Sequence, residues 1–262
     1  MKAGERTVPV RLDLPEGRIE TEITLPATEE RLVVLAFQLL PLSGEVADMA
    51  AQAAGKAGVP ISCKKGCGVC CRQLVPLSPP EAAMIFEFIE TMPEPRKNTI
   101  RKRFDRQLAK LKDSKFLTTL ERLRDPEISD NEYHGITQAY FHLDVSCPFL
   151  EDECCSIYPV RPSMCREYLV TSPSENCADP VIRPVRRVPV SIRLSEALAR
   201  TWASLSGEPV QVIPLILAPT WIHENPHIRG IRGDAVSLLR SILSDLNKAG
   251  HRTQPNIGVQ QG

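Results

Sequence analysis

Residues 61–73 read Ile-Ser-Cys-Lys-Lys-Gly-Cys-Gly-Val-Cys-Cys-Arg-Gln, which places Cys63, Cys67, Cys70 and Cys71 within nine residues. Gly66 and Gly68 suit the stretch to a tight loop. Thiolates are the soft ligands that zinc and iron–sulfur clusters prefer. Cysteines two or three residues apart in such a loop converge on one centre, and a distant segment closes the site. A second region able to do this follows: Cys147-Pro148-Phe149-Leu150, then Cys154-Cys155-Ser156-Ile157-Tyr158, then Arg161-Pro162, Cys165-Arg166 and finally Cys177. The expected metal ligands are Cys63, Cys67, Cys70, Cys71, Cys147, Cys155, Cys165 and Cys177. Cys154 stands beside Cys155, and either neighbour is placed to serve from that turn. Free cysteines are often inert core residues, but four in so short a loop fit that description poorly.

Thiolates gathered around a divalent ion carry net negative charge, which needs cations or hydrogen-bond donors nearby. Lys64, Lys65, Arg72, Arg161 and Arg166 lie in or beside the clusters. Arg161 and Arg166 flank Cys165 and fit that role better than Lys64 and Lys65, which read equally well as solvated loop residues. Tyr158 is expected to pack its ring against the centre with its hydroxyl on a backbone group.

The bulk composition decides how the cysteines are read. The chain has 262 residues, 42% of them apolar and 24% charged, and 32 Lys plus Arg balance 32 Asp plus Glu. These are ordinary values for a globular protein. A neutral chain has no general attraction to nucleic acid or anionic lipid, so neither is expected as a partner, and no protein partner is indicated. The apolar runs 32–42 and 210–222 fall short of the roughly 20 residues a membrane span needs. The start, MKAGERTVPV, lacks the apolar centre of a signal peptide. The expectation is a cytoplasmic protein, where disulfides rarely persist and clustered cysteines hold metal or do redox chemistry. Nine cysteines, an odd count, also fit a full disulfide set poorly.

Outward from the clusters, the flanks read as helices and one hairpin. Val8, Val10, Leu12 and Leu14 alternate with polar residues, as do Ile19, Ile23 and Leu25 after Pro15-Glu16-Gly17, which predicts a β-hairpin. From Thr28 the spacing of Leu32, Leu35, Ala36 and Leu39 becomes helical, and Pro41 should kink or interrupt it. An Ala-rich helix is predicted over 45–56. Ser78, Pro79, Pro80 and Glu81 form a helix start, with Ala82, Ile85, Phe86 and Ile89 inward. Further helices are predicted over 96–111 and 115–123, and a short one near 136–141. Val188–Leu194 reads as a strand, Ser195 as the cap of a helix through Leu205, and 209–222 as an apolar core stretch. A last amphipathic helix over 234–248 turns Val236, Leu239, Ile242, Leu243 and Leu246 inward, ended by Gly250.

The cysteine pattern resembles the YkgJ-like cysteine-cluster family, a domain named for zinc or iron chelation. Its hallmark is C-x3-C-x2-C-C followed by C-P-F-L, C-x-I-Y, R-P and C-R. Here these are Cys63, Cys67, Cys70 and Cys71; Cys147-Pro148-Phe149-Leu150; Cys155-Ser156-Ile157-Tyr158; Arg161-Pro162; and Cys165-Arg166. The resemblance covers about residues 60–180 and implies metal chelation. That family is also similar to the flagellin lysine-N-methylases, which implies an alternative: methyl transfer to protein lysine from S-adenosylmethionine (SAM). Cys63, Cys67 and Cys70 match the C-x3-C-x2-C spacing by which radical-SAM enzymes hold a 4Fe–4S cluster. Against it stand Val69, where those enzymes usually carry an aromatic residue, the lack of a barrel's alternating strands and helices, and the lack of a G-x-G-x-x-G loop. An electron-transfer or metal-handling protein is a further alternative. A methylase should have a SAM-sized pocket beside the cluster.

Other polar constellations are weaker. His134 and His142 precede the second cluster and read as surface or hydrogen-bonded residues. His223-Glu224-Asn225-Pro226-His227 resembles a zinc-protease helix, but Pro226 forbids the helical spacing. The basic helix over 96–111 also carries acids and reads as solvated. The expected architecture is mainly α with a small N-terminal β-hairpin and an irregular cysteine-rich, metal-centred core. One domain over 1–250 is expected, divided into 1–27, 60–180 and 188–250, with 251–262 a disordered tail.

Overall fold

The structure, a computed structural model, describes residues 4–125, 127–180 and 182–249; the tail expected over 251–262, and Gly250, lie outside them. Strands β1 (Glu5–Leu14) and β2 (Gly17–Pro26) pair antiparallel, with Leu14 opposite Gly17. The alternation holds: Val10, Leu12, Ile19, Ile23 and Leu25 are buried on one face. A short β3 (Glu29–Arg31) precedes α1 (Leu32–Gln38), and α2 covers Leu40–Lys56. The helix expected from Thr28 thus begins at Leu32, because Glu29–Arg31 pairs with a strand near the other end of the chain. Pro41 stands in the first turn of α2, where its missing N–H costs nothing, and the interruption falls at Leu39. The apolar helical stretch is longer than residues 32–42: over Leu32–Lys56 it has the length and composition of a membrane span, at a hydropathy of 1.5, yet 56% of it is buried inside the protein.

After the first cysteine loop, β4 (Pro76–Leu77) leads into α3 (Pro79–Thr91). Ser78 caps α3 by accepting from Glu81 N–H, while Glu81 accepts from Ser78 N–H, the reciprocal capping box. Helices α4 (Glu94–Asp113), α5 (Leu117–Glu121) and α6 (Asp130–Phe141) follow. Ser129 starts α6 by accepting from Glu132 N–H, so this helix is a turn and a half longer than its apolar residues alone indicate. The second cysteine region holds β5 (Leu150–Glu151), β6 (Cys154–Cys155) and α7 (Ser163–Glu167).

Val188–Leu194 forms no strand; a single bridge between Arg187, just before it, and Val170 is followed by one backbone bond from Val188 N–H to Leu169 O at 2.8 Å. Its alternation still buries Val188, Val190 and Ile192, showing that period-two burial does not require a ladder. The remaining elements are α8 (Leu194–Ser206), β7 (Ile213–Pro214), α9 (Ala218–Glu224), β8 (Arg232–Asp234) and α10 (Ala235–Ala249). Strand β8 is the partner of β3, and β7 pairs with β4. Ser195 does not cap α8. Arg193 holds that position, and the Ser195 hydroxyl donates to Glu81 Oε2 instead.

The buried apolar residues form one connected cluster reaching from Val10 of the hairpin to Leu246 of α10. Helix α3 lies at its middle, packed on α1, α8 and α9, while α10 packs on α8 and α7 on α2. The short α7, which carries Cys165, has too few residues to be stable alone. Its ends are fastened by two buried carboxylates. Glu81 of α3 accepts from Ser163 N–H at 3.0 Å and Ser163 Oγ at 2.6 Å, as well as from Ser78 and Ser195. Glu167 accepts from Ser43 Oγ of α2 at 3.1 Å and from Leu194 N–H of α8 at 3.3 Å. Burial and the neighbouring Glu81 charge push the Glu167 carboxyl up to about 7.

Candidate metal centre

The first cysteine loop is shaped by its glycines and stitched to the second region by backbone hydrogen bonds. Gly66 takes a φ of +85°, which turns the chain between Cys63 and Cys67. Gly68 has no room for a side chain: a Cβ would stand 2.6 Å from Leu150 Cδ1 and 3.0 Å from Glu153 O. This close approach brings the loop against the β5–β6 hairpin. A 3-10 turn over Val69–Arg72 then presents Cys70 and Cys71. Cys147 N–H donates to Cys71 O at 2.7 Å, and Ser62 N–H donates to Val170 O at 2.9 Å. Arg72 fastens the same junction, donating to Gly68 O and pairing with Glu153 at 2.6 Å.

The β5–β6 hairpin settles the relation of Cys154 and Cys155 to the loop. Leu150 faces Cys155 and Glu151 faces Cys154 across a tight turn at Asp152 and Glu153, both with positive φ. Neighbouring strand residues point to opposite faces. Cys155 packs against the core and interacts with Cys70. Glu151, on the other face with Cys154, pairs with Arg96 and Arg103.

Cys70 lies within electrostatic reach of sulfurs from both segments. Cys63, Cys71, Cys147, Cys155, Cys165 and Cys177 each interact electrostatically with it. Cys71 donates its S–H to Cys70, which lowers the Cys70 pKa and raises that of Cys71. Burial pushes the Cys147 thiol up to about 12 and that of Cys177 up to about 11, and holds Cys165 well above its ordinary value. Apolar surroundings disfavour bare thiolates, so these sulfurs ionise only against compensating positive charge. Backbone N–H groups supply part of it: Val170 to Cys63, Phe149 to Cys147 and Ile157 to Cys155.

Arg161 supplies more. Its charge favours the thiolates of Cys63, Cys70, Cys155 and Cys165. The guanidinium stacks on the Tyr158 ring at 4.2 Å, and Nε is buried without a hydrogen-bond partner among the described residues. Arg166 donates to Arg161 O and Pro159 O and so fixes the loop before α7. Lys64 and Lys65 are exposed.

Tyr158 departs from its expected place. It is 57% exposed and serves as the platform for Arg161 rather than packing on the sulfurs. The tyrosine at the centre is Tyr168, whose hydroxyl donates to Cys177 Sγ. Its ring lies under Arg187 at 4.8 Å. Gln73 Nε2 donates to Cys177 O at 3.3 Å. Sequence reading missed Tyr168 and Gln73; their only signal is adjacency, three residues after Cys165 and two after Cys71. His134 bonds Gln138, and His142 meets the Phe141 ring edge to face. His227 contacts Glu208, and α9 ends at Glu224, so the His223–His227 stretch is not one helix.

Among the described residues no three Cys, His, Asp or Glu side chains already close around one point in metal-coordinating geometry. The donor set nevertheless fits a thiophilic metal: soft sulfurs brought from two segments, N–H donors to three of them, and an arginine with a buried, unpartnered nitrogen beside them.

Residues 62–181 match the sequence model of the CxxCxxCC family, whose description is "putative zinc- or iron-chelating domain". This region is similar to that family. The match spans both cysteine segments and the 3-10 turn over Ser174–Ala178 that carries Cys177. No curated protein and no solved structure matches the chain in the same kind of comparison. The matched region thus contains both cysteine segments that the fold brings together, and the family it is similar to is described by zinc or iron chelation. Within it, α7 is tied to α3 of the same region and to the flanking helices α2 and α8.

Proposed function

We propose that the chain binds zinc or iron through the thiolates of Cys63, Cys67, Cys70, Cys71, Cys147, Cys155, Cys165 and Cys177. The observation that carries this reading is the joining of the two cysteine segments by backbone hydrogen bonds, Cys147 N–H to Cys71 O and Ser62 N–H to Val170 O, with Arg161 in electrostatic reach of sulfurs from both. Cys154 is left out because the β5–β6 register turns it from the other sulfurs. Bound metal would neutralise thiolates that burial alone disfavours. It would also tie residues 62–73 to 147–177, so its role is at least partly structural. Arg161, Tyr168 and the backbone N–H groups would hold the sulfurs and offset their charge. A reducing compartment keeps nine thiols free, so a cytoplasmic location and a single cooperative domain belong to the same reading.

The methylase and electron-transfer alternatives gain no observation of their own. One small cavity adjoins Cys147 and Tyr140 and another adjoins Ser43 and Glu167. Each admits about one water molecule.

Anaerobic purification followed by metal analysis and an absorption spectrum tests the reading. Zinc or iron should accompany the folded protein, and Cys67→Ser and Cys70→Ser should each lower its content. A normally folded, colourless protein containing neither metal overturns the proposal, as does full metal retention in both variants.

A further inference from the structure

Residues 186–188 run antiparallel to residues 169–171. Val188 N–H donates to Leu169 O at 2.8 Å, Thr171 N–H donates to Arg186 O at 2.9 Å, and Arg187 stands opposite Val170. In this register Tyr168 is a diagonal neighbour of Arg187 on the same face. The Arg187 guanidinium accordingly lies over the Tyr168 ring, 4.8 Å from its centre. Val188, Val190 and Ile192 are buried in the core, so the alternation turns Arg187 and Arg193 together to the other side. Both arginines are half-buried, and the phenol of Tyr133 in α6 lies within electrostatic reach of both.

The positive charge gathered there is poorly matched from within the chain. Among the described residues Arg187 has no ion pair and no hydrogen bond. Burial and the neighbouring Arg193 charge both disfavour its cation. Arg193 pairs with Glu196 at 3.6 Å, beyond hydrogen-bond distance. Glu167 also reaches Arg187 electrostatically, but its carboxyl accepts from Ser43 Oγ and Leu194 N–H. Guanidiniums only donate, and the Tyr133 O–H has no acceptor among the described residues. The groups that converge are therefore donors and cations without a matching acceptor.

We propose that Arg187, Arg193 and Tyr133 form a binding site for a small oxyanion, a phosphate or carboxylate group, with Tyr168 as the platform beneath Arg187. Arginine presents a planar fork of N–H groups that matches such an anion at two points. An aromatic face below the fork holds it without using those N–H groups. The site adjoins the cysteine centre, because Tyr168 also donates to Cys177, but it stands whether or not metal is bound there.

The test is titration of the full chain at low ionic strength, followed by backbone amide NMR, with inorganic phosphate and succinate in separate runs and sodium chloride as the control for screening. At least one of the two oxyanions should bind saturably with a Kd of about 1 mM or tighter, moving amide signals at 168–171 and 186–194. The tighter of the two names the group that the site takes. Arg187→Gln and Arg193→Gln should each weaken that binding by about 10-fold or more. Lys102→Gln, which removes an exposed cation of α4, should leave it unchanged. In the wild-type protein, no saturable binding, an equal response to chloride, or shifts confined to other segments overturns the inference without any variant having to fold. Undiminished affinity in Arg187→Gln overturns it as well.

Discussion

Arg161 shows how one residue governs the centre. Its guanidinium lies on the exposed ring of Tyr158, which holds it flat without competing for its N–H groups. Its charge reaches sulfurs from both cysteine segments. Replacing it removes positive charge from a place where burial already disfavours thiolates. Arg161→Gln should therefore weaken metal binding by roughly 10- to 100-fold, the usual cost of losing a group that supports metal ligands. Competition against a chromophoric chelator measures this, and an affinity within twofold of wild type would show that Arg161 does not offset the thiolate charge. Gly68 acts by having no side chain, allowing the first loop to meet Leu150 and Glu153.

Among the elements, α7 is the one that its sequence could not stabilise alone. It has five residues, carries Cys165, and is held by Glu81 at its start and Glu167 at its end. Glu81 is fully buried and accepts from Ser78, Ser163 and Ser195, joining α3, α7 and α8. Glu81→Ala would leave several buried donors unpaired at about 1–3 kcal/mol each, so a total loss of about 3 kcal/mol or more is expected. Urea unfolding of the metal-loaded protein reads it directly; a loss under about 1 kcal/mol would mean that these donors find other partners. Glu81 was legible in the sequence as a capping residue of α3. Its second task was hidden, because Ser163 and Ser195 reach it from 82 and 114 residues away. Ser195 misled for the same reason: a serine before an apolar helix reads as a cap, and here its hydroxyl is taken by Glu81.

For the whole molecule, metal binding and folding are linked, because the two cysteine segments meet only in the folded chain. A metal present at 100 times its dissociation constant adds about 2.7 kcal/mol of stability. Stripping it with a chelator should lower the urea midpoint. Hydrogen exchange should then rise first at residues 62–73, 147–155 and 170–177, while the β1–β2 pairing and the buried face of α8 keep their protection. Unchanged exchange in the three cysteine segments after complete stripping would mean that protein contacts alone hold them. The hydrogen bonds of Ser62, Gln73 and Cys147 between the cysteine segments and the carboxylate anchors of α7 are the contacts that would do so.

The sequence by itself determined the hairpin, the start of α3, the amphipathic α10 and the cysteine pattern, because each is written in local spacing: period two, a capping box, a helical stripe, a run of thiols. Periodicity also misled where partners decide the state, as at Val188–Leu194, which alternates without forming a strand. Only the tertiary structure decided that Cys155 rather than Cys154 faces the other sulfurs, and that Tyr168 rather than Tyr158 touches one. It also decided that the Arg161 charge reaches sulfurs of both cysteine segments. These depend on strand register and on contacts between distant segments, which no local pattern encodes.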